Sequence, residues 1–151
     1  MSRVRVKRLA PVQRFAAREA DAAGAALAAS EQTLHAQRLT LQELVQYRSG
    51  YASTSALPGT WQGQHWSDYN EFLTKLDAAI HAQRNVIKQH EEHCATVRAH
   101  WQQKHARAES LSQLAQKLTT AADSVDAANQ QKRDDEMSAQ RRPVMPFGGI
   151  G

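Results

Sequence analysis

Apolar side chains recur along this chain at alternating steps of four and three. From Tyr69 the steps fall on Tyr69, Leu73, Leu76, Ile80, Gln83, Ile87, His90, Cys94, Val97, Trp101, Lys104, Ala108, Leu111, Ala115, Leu118, Ala122 and Val125. Of these seventeen positions only Gln83, His90 and Lys104 are polar. A repeat averaging 3.5 residues keeps one stripe of a helix turned toward a partner, which is the signature of a coiled coil. The window from Gln64 to Arg142, 79 residues, contains neither glycine nor proline. Average usage of the two would place about nine there. Both are costly inside helices, so the window reads as one long helix.

A second stripe precedes it. Leu9, Val12, Ala16, Ala20, Ala23, Leu27, Ser30, Leu34, Gln37, Leu41, Leu44, Arg48 and Tyr51 follow the same spacing. The pattern predicts a helix over about 11–54, with Pro11 in its first turn, where a missing N–H costs nothing. Residues 55–66, rich in Ser, Thr, Gly and Pro, read as a loop. The second helix is expected over about 67–141, with Asp68 and Glu71 as a capping box and Pro143 as its stop. Residues 1–10 form a basic segment, and residues 142–151 read as a disordered tail.

Neither helix is stable alone in water, and a short connection between two striped helices favours an antiparallel hairpin. The expected fold is all-α: a long antiparallel two-helix coiled-coil hairpin forming a single domain over 11–141. Folding the chain about residue 60 puts Leu44 near Leu76, Tyr51 near Tyr69, and Trp101 near the thin alanine surface at Ala20. At 1.5 Å per residue the helices measure about 65 Å and about 110 Å. Residues 112–141 should therefore overhang as a C-terminal extension, unless the basic segment is also helical. An unpaired apolar stripe there, with Leu114, Leu118 and Val125, calls for a partner.

Composition agrees with long helices: there are three each of Phe, Tyr and Trp in 151 residues. The lone Cys94 lies on the seam, as a small buried hydrophobe would, and permits no internal disulfide. Nothing resembles a signal peptide or membrane span, which points to a cytoplasmic protein without direct membrane insertion. Net charge is +4. The first twenty residues carry Arg3, Arg5, Lys7, Arg8, Arg14 and Arg18 against Glu19 alone, a basic end suited to nucleic acid, anionic lipid or an acidic protein surface.

Candidate chemistry is sparse. His90, His93 and Cys94 form the densest ligand cluster, but the histidines are three apart rather than four and lack a third ligand. The expectation is no metal and no cofactor. No nucleophile constellation or phosphate loop is visible, and a two-helix coil offers no water-excluding cleft, so the chain reads as a non-enzyme. A nucleic-acid-binding zipper would run its basic helix directly into a parallel seam. Here Pro11 follows the basic run and the loop implies a hairpin, so no nucleic-acid partner is expected. Aromatic residues gather near the hairpin turn: Tyr47, Tyr51, Trp61, Trp66, Tyr69 and Phe72. A two-stranded coil is too thin to bury them all, and exposed aromatics are favoured interface anchors.

In order and spacing these residues resemble the FliJ family of the flagellar type III export apparatus. The matching pieces are Arg8 to Val12; Leu41, Leu44, Tyr47, Arg48 and Tyr51; Trp66, Tyr69, Phe72, Leu73, Leu76, Ala79, Ile80 and Gln83; Trp101 and Lys104; and Gln131, Lys132, Asp135 and Glu136. The resemblance implies an antiparallel two-helix coil that binds the hexameric export ATPase as a central stalk, contacts the membrane export gate and takes part in recycling export chaperones. It implies a location peripheral to the inner membrane. The family's gate-binding face falls on Leu44, Tyr47, Tyr51, Phe72, Leu76 and Ala79, with Thr40 and Gln83 departing from the family pattern. The ATPase-binding end falls on Leu9, Val12, Leu118, Val125, Lys132, Asp135 and Glu136. The alternatives are the equivalent stalk of an injectisome and a generic export-substrate chaperone.

Overall fold

A computed structural model describes residues 2–55 and 64–140, with side chains described for 3–53 and 65–140. It is entirely helical there. Helix α1 spans Ser2–Ser55 and α2 spans Gln64–Gln140. The two pack against each other as an antiparallel hairpin, as the paired stripes require. The expected loop lies mostly, and the expected tail wholly, outside the described residues.

Among the described residues, those within 18–105 form one compact unit, and 2–17 with 106–140 form another. In the first, every seam position expected from the repeat is buried or half-buried. Leu34, Ile87 and Cys94 make its central cluster, with Leu41 packed against them. Cross-helix ion pairs border this layer: Arg38 to Glu91 at 3.3 Å and Arg98 to Glu31 at 2.8 Å. Both are half exposed, where such pairs contribute between 0 and about 1 kcal/mol.

The seam also holds polar layers. Gln83 Nε2 donates to the Gln37 carbonyl at 2.9 Å and to Gln37 Oε1 at 2.8 Å. Cys94 Sγ donates to Ser30 Oγ at 3.4 Å, and the Ser30 hydroxyl donates to the Leu27 carbonyl at 2.8 Å. Lys104 reaches Glu19 at 3.2 Å in the least exposed ion pair described. Gln83, Cys94, Ser30 and Lys104 each meet a partner, as burial favours.

Trp101 packs over Gly24, on the thin small-residue surface of α1 expected to face it. A Cβ at residue 24 would lie 3.2 Å from Trp101 Nε1 and 3.4 Å from Cδ1. The indole takes the thinnest available surface, since only glycine leaves its backbone uncovered at that spot.

The second unit corrects three expectations. First, α1 begins at Ser2, so the basic segment is helical and Pro11 lies inside the helix. Pro11 is exposed, so the carbonyl it leaves unbonded one turn back faces water. Packing of the first turns outweighs the local cost: Arg3, Val6 and Lys7 line a groove with Thr119, Ala122 and Asp123 of α2. Arg3 Nε also donates to Asp126 at 2.8 Å. Second, the stripe near Pro11 runs through half-buried Leu9 and Gln13 to Ala16, leaving Val12 exposed. The observed stripe steps four and then three there, where the apolar pattern predicts three and then four. Third, the extension is shorter. Ala108, Leu111, Ala115 and Leu118 are half-buried and Ala122 is buried, so exposure is continuous only over residues 123–140.

Helix α2 starts at Gln64, which places Asp68 and Glu71 inside it rather than at a capping box. The aromatic stacking described next holds this first turn.

Candidate functional site

Near the connection between the helices, α1 supplies Tyr47 and Tyr51 one turn apart. Helix α2 supplies Trp66, Tyr69 and Phe72 at steps of three. The buried anchor is Tyr69, only 4% exposed. Tyr51 stacks on it with ring centroids 5.2 Å apart and planes 11° from parallel. Trp66 stacks on its other neighbourhood at 5.8 Å. Phe72 meets Tyr51 at 4.7 Å and the edge of Tyr47 at 6.2 Å. Tyr47 and Tyr51 lie 6.3 Å apart. These offset and edge-on geometries are the favoured ones for aromatic pairs, each adding about 0.5–1.5 kcal/mol beyond area burial.

Rings fixed from within still face water. Tyr47 is 58% exposed and Trp66 52% exposed. Of the six residues assigned by resemblance to gate binding, Tyr47 and Ala79 are exposed, while Leu44, Tyr51 and Phe72 are half-buried. Leu76 is buried, and its place is in the seam beneath the patch. Trp66 belongs to the same exposed surface without having been assigned to it. Its three-residue spacing from Tyr69 was the signal that joins them.

Arg48 borders the patch and pairs with Asp77, Nη2 donating to Oδ2 at 3.3 Å beside a closer Nε contact to Oδ1. The hydrogen bond from Arg48 holds Asp77 below its ordinary carboxylate value; desolvation opposes it, and the Arg48 charge adds to it. The same hydrogen bond raises Arg48.

The residues assigned to the ATPase end all lie in the second unit. Leu9 and Leu118 are half-buried; Val12, Val125, Lys132, Asp135 and Glu136 are exposed. Met137 adds an exposed apolar side chain to the extension. Asp135 accepts from Gln131 of its own helix at 3.2 Å. Among the described residues no group of His, Cys, Asp and Glu could hold a metal ion. None of the described helices is long and apolar enough to cross a membrane.

The family model described as flagellar FliJ protein matches residues 5–142. The chain belongs to the flagellar FliJ family. No curated protein and no solved structure matches it. Members of the FliJ family are non-enzymatic components of flagellar type III protein export, and the two packed helices fit that family's coiled coil. The match covers both helices, so the aromatic patch and the α2 extension both belong to the family region.

Proposed function

We propose that this chain is the central stalk of the hexameric flagellar export ATPase and joins that ring to the membrane export gate. In this reading it promotes assembly of the ATPase, couples nucleotide turnover to export, and takes part in recycling export chaperones. One observation carries the reading most directly: Tyr47 and Phe72 are braced by Tyr51 over a buried Tyr69, and Tyr47 remains largely exposed. A rigid aromatic platform loses little entropy on docking, which suits it to a specific protein contact.

The gate-facing surface comprises Leu44, Tyr47, Tyr51, Phe72 and Ala79, with Leu76 supporting it from the seam. The ATPase-facing surface comprises Val12, Val125, Lys132, Asp135 and Glu136, with Leu9 and Leu118 positioning it. The exposed extension over residues 123–140 supports this assignment, because a helix that buries no stripe of its own is available to a ring-shaped partner.

The test is ATP hydrolysis by the cognate export ATPase with and without this protein, alongside co-elution. The full chain should stimulate hydrolysis and co-elute in a ring-sized complex. A chain ending at Ala122 should lose both effects while keeping its helicity. Tyr47→Ala should weaken gate binding and leave the ATPase complex intact. Full ATPase binding by the chain ending at Ala122 would move the contact off the extension. Neither stimulation nor co-elution would favour a generic export-substrate chaperone.

A further inference from the structure

The second unit has two flanks of different character. On one, Arg3 of α1 meets Asp123 and Asp126 of α2, and Arg3 and Val6 share a groove with Thr119. The other is apolar. At 3.6 residues per turn, Val12 falls on the side of the Leu9, Gln13 and Ala16 stripe away from Arg3. Leu114 and Ala121 fall on the side of the Leu111, Ala115 and Leu118 stripe away from Thr119 and Asp126. In an antiparallel pair these two sides make one flank, and its apolar side chains stay open: Val12 is 43% exposed, Leu114 44% and Val125 54%. Leu114, Leu118, Ala121 and Val125 follow steps of four, three and four. Helix α2 therefore carries a second heptad stripe beside the one that packs on α1, with half-buried Leu118 at the shared edge. Arg5 and Arg8 of α1 and Lys117 of α2 border this line, all three exposed. Residues 1–18 contain no acid, and the acids of α2 within 106–126 (Glu109, Asp123 and Asp126) lie off this line.

We infer that this flank receives an acidic amphipathic helix of the export ATPase, laid in the furrow between α1 and α2. The inference rests on the stalk reading above and adds to it the chemistry of the partner. Spacing selects a helix: a stripe stepping four and three takes the knobs of a facing helix, whereas an extended segment needs every second residue. Charge selects the sign: a border of Arg5, Arg8 and Lys117 matches acids along the edges of the entering helix. Continuity selects the protein: Val12 and Val125 already belong to the ATPase-facing surface, and Leu114 carries that surface along the same flank. Leu114 is then a central apolar anchor of the contact, and the cations are its rim.

The test uses the full chain and the cognate ATPase. Leu114→Glu should weaken binding at least about tenfold. Arg5→Glu with Arg8→Glu should weaken it about threefold or more, by a factor that shrinks as salt is raised. Ser112→Glu, on the opposite flank, should stay within about twofold of the parent. Circular dichroism checks that the helices persist, which the exposure of these side chains leads one to expect. A second measurement reads the partner's conformation and does not depend on the glutamate variants. Benzophenone labels on Leu114→Cys and Ala121→Cys sit about 10.5 Å apart along α2. Their cross-links should fall about seven residues apart in one acid-bearing ATPase segment, against about three for an extended segment. Parent-like affinity in both Leu114→Glu and Arg5→Glu/Arg8→Glu would overturn the inference and leave the stalk reading standing. Cross-links about three residues apart, or confined to this chain and its copies, would overturn it as well. No ATPase binding by the parent chain would overturn both.

Discussion

Ile87 and Val125 both lie on the stripe of one hydrophobic repeat, yet they meet opposite fates. Ile87 is 8% exposed, in a cluster with Leu34 and Cys94, while Val125 is 54% exposed. The repeat specifies which side of a helix is apolar; it does not specify that anything covers that side. Around Ile87 a facing stripe from α1 completes the layer. In the second unit burial ends at Ala122, where Arg3 closes on Asp123 at 3.6 Å and on Asp126. The same pattern is thus core in one place and available surface in the other.

The sharpest way to break this comparison is to truncate both residues. Ile87→Ala should destabilise the protein by about 2–4 kcal/mol, through lost transfer energy and a cavity in the cluster. Val125→Ala should change stability by less than about 0.5 kcal/mol, as exposed substitutions do. Urea unfolding followed by circular dichroism measures both. Comparable losses at the two sites would mean that the extension is covered in solution by something other than α1.

The Trp101 contact offers the next largest effect. Gly24→Val pushes two further methyl groups toward an indole already 3.2 Å from where a Cβ would sit. The expected cost is about 1–3 kcal/mol from overpacking. In a Trp101→Leu background that cost should shrink, since the smaller side chain leaves room. If the two substitutions prove additive in a double-mutant cycle, the Gly24 contact does not set the register.

The same contrast explains how much was legible in the sequence. The α2 stripe from Tyr69 to Ala122 was readable because α2 carries no interruption, so the phase holds for every turn. In α1 the apolar pattern places Val12 on the seam where the structure places half-buried Gln13, because the pattern ranks an apolar side chain above a polar one and carries no information about how α2 packs there. Pairing of Arg3 with Asp126 across the sequence has no local signature, so neither the helical N-terminus nor the shorter extension was legible. The aromatic cluster was readable as a gathering of residues. That Leu76 and Tyr69 are buried beneath while Tyr47 and Trp66 face outward required the facing helix to be in place.

Ion pairs sharpen the comparison more gently. Asp77 is tied to Arg48 on the facing helix, whereas Asp135 accepts only a neighbouring amide in the hydrogen bonds described. A carboxylate held below its ordinary value of 3.8 contributes stability at pH above that value. The contribution fades as pH falls below it, and is gone once Asp77 is protonated in the folded state as well. Asp77→Asn should therefore lower the thermal midpoint slightly at neutral pH and converge with the parent protein in strong acid. Asp135→Asn, which touches no cross-helix ion pair, should change the thermal midpoint less than Asp77→Asn does. Both aspartates are on open surface, so added salt should shrink the difference. A gap between Asp77→Asn and the parent that persists in strong acid would place its cause outside the ion pair.

The smallest effect is expected inside the core itself. Ser30 is a buried polar residue between Leu27 and Leu34 on the α1 seam, and its hydroxyl accepts from Cys94 Sγ. Ser30→Ala removes that acceptor and one donor to the Leu27 carbonyl. The carbonyl keeps its place in the helical ladder, and a thiol is a weak donor that loses little when unpaired. Alanine also favours the helix by a few tenths of a kcal/mol over serine. These changes nearly cancel, so the unfolding free energy should move by no more than about 0.5 kcal/mol. A loss above about 1.5 kcal/mol would mean that the Ser30–Cys94 pair fixes the register at this layer. The thiol sharpens the same point. Buried Cys94 should react with a thiol reagent only as fast as the helices part, whereas a cysteine placed by Val125→Cys should react at once.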